Sequence, residues 1–147
     1  MPRSSLWAAA LTAAVLSVAG CTTTEALGEA SSDAARVEPI QGTDLSRITL
    51  TAEAYTHLGV KTEPVREASA GGRRFTAIPI AALLYDPDGK TWVFTSTTKS
   101  VFVRAAVSID HIDGDLAYLG QGPSAGTAVV TVGVPELYGA ELGVEGE

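Results

Sequence analysis

The chain has 147 residues, of which 46% are hydrophobic, and 10 basic against 17 acidic residues give it a net charge of −7 at pH 7. This length fits one domain with additional terminal segments. The acidic balance, without a basic block, argues against nucleic acid as a partner, because phosphate binding needs clustered cations. The one cysteine can form no internal disulfide and cannot supply a multi-cysteine zinc site.

Residues 1–20 have the pattern of an export signal. Arg3 gives a positive start, and the apolar stretch that follows, residues 6–18, is shorter than the about 20 residues that span a bilayer. The next segment, Val18-Ala19-Gly20-Cys21, resembles the bacterial lipobox. This resemblance implies signal cleavage after Gly20 and lipidation of the Cys21 thiol with a diacylglyceryl group and palmitate. A chance or buried cysteine is the alternative, but the position of Cys21 directly after the apolar segment favours the lipobox.

Lipidation at Cys21 predicts a lipoprotein anchored at the extracytoplasmic face of the cell membrane. Without Arg3 the chain holds 9 basic and 17 acidic residues, a net charge of −8. Anionic headgroups repel such a surface, so we expect the lipid alone to hold the membrane. Residues 21–46 are rich in Ala, Ser, Thr and Glu without a sustained hydrophobic period, which predicts a flexible tether.

The remaining segment, residues 47–147, is predicted to be a mainly β domain. We expect about six to seven short, mostly antiparallel strands, spaced about 8–12 residues apart, in a small β-barrel or β-roll with one or two short helices. Thr51 is a candidate cap for a helical turn that ends at Gly59. Pro135 begins a second predicted turn, which ends at Gly139.

Glycines and prolines mark the predicted turns between the strands. Asp86-Pro87-Asp88-Gly89 is expected to join two strands, and Asp113-Gly114-Asp115 to close a hairpin between residues 102–109 and 116–119. Residues 67–74 are expected to form a loop. Pro79 must lie at an edge, a bulge or a strand start, because proline has no N–H to donate to a neighbouring strand.

The turn residues and apolar pairs of this domain occur in a distinctive order: Ile78-Pro79, Ala82-Leu83, residues 88–94, Val107, Ile109, Gly114, Gly122, Gly126, Val129-Val130 and Gly133. This order resembles the C-terminal, membrane-proximal region of periplasmic adaptor subunits, the membrane fusion proteins of efflux systems. The upstream residues 50–54, 58–62 and 64–65 resemble adaptors of the heavy-metal type. Together the resemblance covers about residues 48–143.

The resemblance implies a truncated, stand-alone adaptor-like lipoprotein, a non-enzymatic accessory module of transmembrane transport whose partner is a transporter or permease. A complete adaptor usually adds a long helical hairpin, for which this chain has no heptad pattern. Pro123 stands where the family usually has leucine, and no methionine follows Met1 to bind metal. The alternative is a small-ligand or cell-wall-binding lipoprotein with the same β-roll.

No catalytic, cofactor or metal residue is predicted, and we expect the protein not to be an enzyme. No serine lies in a Gly-x-Ser-x-Gly elbow, and Cys21 is consumed by lipidation. Residues 110–115 place three carboxylates and His111 close together; a hairpin tip is the favoured interpretation and a divalent cation site the alternative. The turn at Asp86 is favoured over a calcium loop, because Lys90 occupies the next ligand position.

Three further groups are interpreted structurally. His57, on the first predicted helix, is expected to face solvent or cap the helix end. Gly71-Gly72-Arg73-Arg74 is interpreted as a solvated turn rather than an anion-binding loop. Five aromatic residues are expected to be core or same-face pairs, with ligand stacking as the minority interpretation. They are Tyr85, Trp92, Phe94, Phe102 and Tyr118.

Overall fold

The computed structural model describes residues 34–143 and confirms a mainly β fold. Strands occupy 54% and helices 16% of these residues, and the 11 strands form two antiparallel sheets. The strands are more numerous than the six or seven expected, and the sheets do not close into a barrel. Gly20 and Cys21 lie outside the described residues.

The elements follow one another closely along the chain. The strands are β1 (Ala35–Pro39), β2 (Ser46–Leu50), β3 (Lys61–Pro64), β4 (Arg66–Ala70), β5 (Arg73–Pro79), β6 (Leu84–Tyr85), β7 (Thr91–Thr98), β8 (Val101–Ala106), β9 (Ser108–Asp113), β10 (Leu116–Gln121) and β11 (Ala128–Val132). The helices are α1 (Ala52–His57) and α2 (Val134–Leu142), and a 3-10 turn covers Ile80–Ala82. No helix among residues 34–143 is long and apolar enough to cross a membrane.

The two sheets are interleaved along the sequence. The first sheet has seven strands in the order β1-β2-β8-β7-β11-β3, with β6 also beside β7. The second has four strands in the order β4-β5-β10-β9. The chain therefore passes between the sheets four times. Each sheet contains strands that lie on both sides of the other sheet's strands in the sequence.

Each face of the seven-stranded sheet has its own core, because successive side chains of a strand point to opposite faces. The inter-sheet core lies between the two sheets and contains Val65, Ile78, Ala82, Val93, Ala117, Leu119 and Val129. The helix-side core lies under α1 and α2 and contains Ile48, Leu50, Ala54, Val60, Phe94, Phe102, Val130, Val134 and Leu137. The helices and the second sheet thus cover opposite faces of the first sheet.

The first helix begins and ends as predicted, whereas the second is longer than predicted. The Thr51 hydroxyl accepts a hydrogen bond from the Ala54 N–H (3.1 Å) at the start of α1, and Gly59 follows the helix with a φ of 60°. Helix α2 continues past Gly139 to Leu142 and ends at Gly143, which has a φ of 68°. Leu137 is fully buried in the helix-side core, and this packing supports a helix longer than one turn.

Two predicted boundaries are wrong. Residues 35–39, assigned to the tether, form β1, which pairs with β2 and extends the first sheet at its edge. Residues 67–74, expected to be a loop, form most of the β4–β5 hairpin, in which Ala70 pairs with Arg73. Gly71 and Gly72 both have positive φ, as a type I′ hairpin turn requires.

The expected long strand before the Asp-Gly turn is divided between the sheets. Strand β8 ends at Ala106 in the first sheet and β9 begins at Ser108 in the second. Between them, the Val107 N–H donates to the Thr91 carbonyl (3.0 Å). Pro79 is the last residue of β5 and lies two residues past the last β5 residue that pairs with β4. It has a neighbouring strand, β10, on one side only, so it occupies an edge position, as predicted.

A buried ion pair joins α2 to the first sheet. Arg104 Nε of β8 lies 2.6 Å from Glu141 Oε2, and their side chains are 11% and 4% exposed. Neither atom has a hydrogen-bond partner of good geometry among the described residues, so the pair interacts as charges. The Arg104 guanidinium also lies over the rings of Trp92 (4.6 Å) and Tyr138 (5.5 Å). The other oxygen of Glu141 accepts from the Ser46 N–H (3.3 Å).

Breaking this pair from one side is expected to destabilise the domain. Arg104→Met leaves the Glu141 carboxylate buried without its counter-ion, and such changes cost about 3–5 kcal/mol. The double variant Arg104→Met/Glu141→Gln removes both charges and keeps an oxygen for Ser46, so it is expected to recover more than half of the loss. Urea unfolding followed by Trp92 fluorescence measures both values.

The matched control is Arg36→Met in the exposed Arg36–Glu38 pair, which is expected to change the free energy of unfolding by less than about 1 kcal/mol. Equal losses for Arg104→Met and Arg36→Met would contradict a stabilising role for the buried pair.

Candidate functional site

The four-stranded sheet presents the candidate functional surface. One of its faces packs on the inter-sheet core, while its other face, the outer face, carries the buried Phe75 and Ala77 among half-buried and exposed side chains. Both helices lie on the far side of the other sheet, against the helix-side core. Within residues 34–143, therefore, no element covers the outer face, and a partner or ligand can reach it.

Three rings from three strands form an aromatic cluster on the outer face: Phe75 of β5, His111 of β9 and Tyr118 of β10. His111 and Tyr118 are opposite each other in the ladder, and their rings stack with centroids 4.3 Å apart at an angle of 13°. Phe75 meets both edge to face, at 5.5 Å from His111 and 6.1 Å from Tyr118. This mutual packing holds the rings in one arrangement.

Two charged side chains border the aromatic cluster. Asp110 Oδ2 lies 2.9 Å from His111 Nδ1, and Asp110 Oδ1 lies 3.8 Å from Arg73 Nη1. The Arg73 guanidinium also lies 5.0 Å from the centre of the Phe75 ring. The aromatic cluster therefore has a negative and a positive side chain at its border.

A β-bulge brings Asp110 and His111 together. Consecutive residues of a regular strand point to opposite faces. Here Tyr118 is opposite His111 while the next residue, Leu119, is opposite Ile109, so Asp110 is an extra residue in β9. Such a bulge redirects its side chains, which allows the carboxylate to reach the neighbouring imidazole. This contact between the carboxylate and Nδ1 orients the His111 ring within the aromatic cluster.

A groove of about 660 Å³ opens on the same sheet, at the end near the β4–β5 hairpin. Its walls combine charged and polar side chains with glycines and apolar residues, Phe75 and Leu119 among them. The lining residues are Glu67, Ala68, Ser69, Arg74, Phe75, Thr76, Leu119, Gly120, Gln121, Gly122 and Ala125. Its volume falls within the range of small-molecule sites.

Residues 110–115 form a strand end and a hairpin turn. Asp113 pairs with Leu116, which leaves Gly114 and Asp115 as the two-residue loop, and Gly114 has the positive φ of 60° expected at the first position of a type II′ turn. Among residues 34–143, no group of three or more His, Cys, Asp or Glu side chains could hold a metal ion. The Asp-Gly hairpin is present as predicted.

Asp86 organises the other predicted turn. Its carboxylate accepts from the Lys90 N–H (2.8 Å) and from the Trp92 indole N–H (2.8 Å), while its carbonyl accepts from the Gly89 N–H (3.0 Å). Desolvation acts to raise the pKa of Asp86, but the hydrogen bonds from Trp92, Lys90 and Asp88, with the Lys90 charge, lower it below its ordinary value. The turn interpretation is confirmed, and both carboxylate oxygens have structural roles.

The remaining predicted positions are distributed over the domain. His57 is exposed on α1, as expected. Phe94 and Phe102 are fully buried, whereas Tyr85 is 58% exposed and belongs to no core. Trp92 packs on Arg104, and Tyr118 pairs on one face with Phe75 and His111. Residues 71–74 form a hairpin turn and its following strand, in which Arg73 and Arg74 point to opposite faces.

The chain matches no protein-family model, no curated protein and no solved structure. Functional inference for this protein therefore depends on its own residues and their geometry.

The lowered pKa of Asp86 predicts a pH-dependent effect of Asp86→Asn. The ionised carboxylate stabilises the fold above its unfolded-state pKa of about 3.9, and this contribution disappears as pH falls through the lower folded-state pKa. Asn offers one oxygen for two donors, so Asp86→Asn is expected to lower the urea midpoint at pH 7. The difference from the unmodified chain should shrink below about pH 4.

Asp88→Asn is the control at the same turn, since its carboxylate accepts neither the Trp92 nor the Lys90 hydrogen bond. A difference between Asp86→Asn and the unmodified chain that stays constant from pH 7 to pH 3 would contradict the assigned role of the charge.

Proposed function

We propose that the protein is a lipid-anchored, extracytoplasmic lipoprotein whose β domain is a non-enzymatic, adaptor-like accessory module of a transport or efflux system. The observation that carries this proposal is the aromatic cluster, a pre-arranged set of rings bordered by charges on a sheet face that no other element of residues 34–143 covers. The order of turn and strand residues, which resembles that of adaptor subunits, also supports it, because those residues belong to one folded unit of interleaved sheets.

The composition of the outer face suits a protein partner. Tyr, Phe and Arg are enriched in the cores of protein interfaces, and truncation of such anchors often costs more than other interface changes. Phe75, Tyr118 and Arg73 are of these types and contact one another or His111. Because the rings are already packed, docking would order few additional side chains. The proposed partner is the extracytoplasmic part of a transporter or permease.

The proposed anchor keeps the domain close to the membrane. Ala34, the first described residue, follows Cys21 by 13 positions. Even a fully extended segment of this length spans at most about 45 Å. A lipid at Cys21 therefore restricts the domain to partners whose extracytoplasmic parts lie near the bilayer surface.

The groove favours a second candidate function, that of a small-ligand or cell-wall-binding lipoprotein. Its volume and its convergent polar side chains are features of ligand sites. The anchor is the same in both proposals, and they differ in whether the partner is a membrane protein or a ligand.

Cys21→Ser tests the anchor. Without the thiol no acyl chains can be attached, so the variant is expected to appear in the soluble fraction after cell lysis, whereas the unmodified protein sediments with membranes. Metabolic labelling with an acyl-chain analogue should mark the unmodified protein alone. Unchanged membrane retention of Cys21→Ser would refute lipidation.

Mild cross-linking followed by purification from membranes tests the adaptor role. The unmodified protein is expected to recover an integral membrane transporter, and Tyr118→Ala to reduce that recovery several-fold because it removes a central ring of the aromatic cluster. Tyr85→Ala, at an exposed tyrosine of the other sheet, is the matched control and should leave recovery unchanged. Thermal unfolding confirms that both variants are folded.

Recovery of a wall polymer or small molecule without any transporter would reject the adaptor role in favour of the second candidate. Equal recovery with Tyr118→Ala and Tyr85→Ala would place the docking surface elsewhere.

A further inference from the structure

We propose that the groove binds a small zwitterion of the amino-acid or dipeptide class, with the ligand carboxylate at Arg74 and its ammonium group at Glu67. This inference rests on the second candidate function, ligand binding at the groove, and does not depend on the adaptor role. The two charged side chains lie on the opposite face of the sheet from the aromatic cluster, because Arg74 points to the opposite face from Arg73.

The sheet register brings the two charges together. Glu67 of β4 is opposite Thr76 of β5, and Ser69 is opposite Arg74. Glu67 and Arg74 are therefore diagonal neighbours on one face, with Cα atoms about 7–8 Å apart. Both side chains line the groove. A guanidinium and a carboxylate on adjacent strands of one groove can contact the two ends of a short zwitterion.

Both charges are available to a ligand. Glu67 and Arg74 are both exposed. Among the described residues, neither has an oppositely charged partner within ion-pair distance. The neighbouring arginines differ in this respect, because Arg66 pairs with Glu63 and Arg73 lies near Asp110. Arg74 presents a planar donor set that can bind a carboxylate through two parallel hydrogen bonds.

The other lining residues fit the rest of such a ligand. Ser69, Thr76 and Gln121 supply hydroxyl and amide groups that can pair with a peptide N–H or C=O. Leu119 and Ala125 provide apolar contact for a short side chain. Alanine has the smallest apolar side chain that can use this contact, so alanine-containing ligands are suitable probes.

Other ligand classes fit the lining less well. A phosphate would meet one arginine together with the repelling carboxylate of Glu67, and a divalent cation would meet one carboxylate beside a guanidinium. A sugar is usually held against an aromatic face, but the Phe75 ring packs in the aromatic cluster with His111 and Tyr118.

Isothermal titration of the full chain in mild detergent, with three dipeptide probes, tests the assignment. L-alanyl-L-alanine is expected to bind saturably at one site. Its N-acetyl form lacks the ammonium group and its amide form lacks the carboxylate, so each is expected to bind at least about tenfold more weakly. Titration with L-alanine decides whether a free amino acid or a dipeptide is the better ligand.

Two neutral substitutions locate the site. Arg74→Gln is expected to weaken dipeptide binding about tenfold and to leave the weak binding of the amide form, which has no carboxylate, unchanged. Glu67→Gln is expected to weaken dipeptide binding by a similar factor and to leave the weak binding of the N-acetyl form, which has no ammonium group, unchanged. Arg36→Gln and Glu38→Gln, at an exposed pair on the other sheet, are the matched controls and should bind like the unmodified chain. Dipeptide binding that survives both Arg74→Gln and Glu67→Gln would overturn the proposal.

Two further probes, N-acetylglucosamine and acetate, separate the ligand class from the function. One of these probes could bind while the dipeptide does not, and its binding could be lost in the Arg74→Gln and Glu67→Gln variants. In that case the zwitterion assignment is wrong, and ligand binding at the groove stands. If no probe binds, the zwitterion assignment is rejected, and the anchor and the adaptor role are unaffected.

Discussion

Strands β7 and β11 are buried on both faces, and the rest of the domain follows from this constraint. Val93 and Phe94 are adjacent, point in opposite directions and are both fully buried, and the same holds for Val129 and Val130. Each side of the sheet must then be covered. The two helices cover the face of Phe94 and Val130, and the second sheet covers the face of Val93 and Val129. The chain meets both requirements by passing repeatedly between the sheets.

Local signals in the sequence identify local structure well. The Thr51 cap, the Asp86 turn and the Asp-Gly hairpin depend on residues within a few positions of one another, and each is present as expected. Gly71-Gly72 was an equally local hairpin signal that the loop assignment overlooked. The strand at residues 35–39 is different, because its short, polar segment is ordered by pairing with β2 rather than by its own composition.

Neither the aromatic cluster nor the groove could be predicted from the sequence, since both depend on the pairing of β5 with β10. These strands are far apart in the chain, and no local pattern specifies that Tyr118 lies opposite Ala77. The bulge at Asp110 adds a second obstacle, because one extra residue reverses which side chains share a face. His111 could be identified as a residue of interest, but its partners could not.

Both ends of the described chain lie against the helical layer. Ala34 packs on the helix-side core and its carbonyl accepts from the Thr51 N–H (3.0 Å), while α2, which contributes Leu137 to the same core, is the last element. The four-stranded sheet lies on the opposite side of the domain. A tag or a sensor surface attached at either end would thus approach from the helical side, and the aromatic cluster and the groove would remain accessible to molecules in solution.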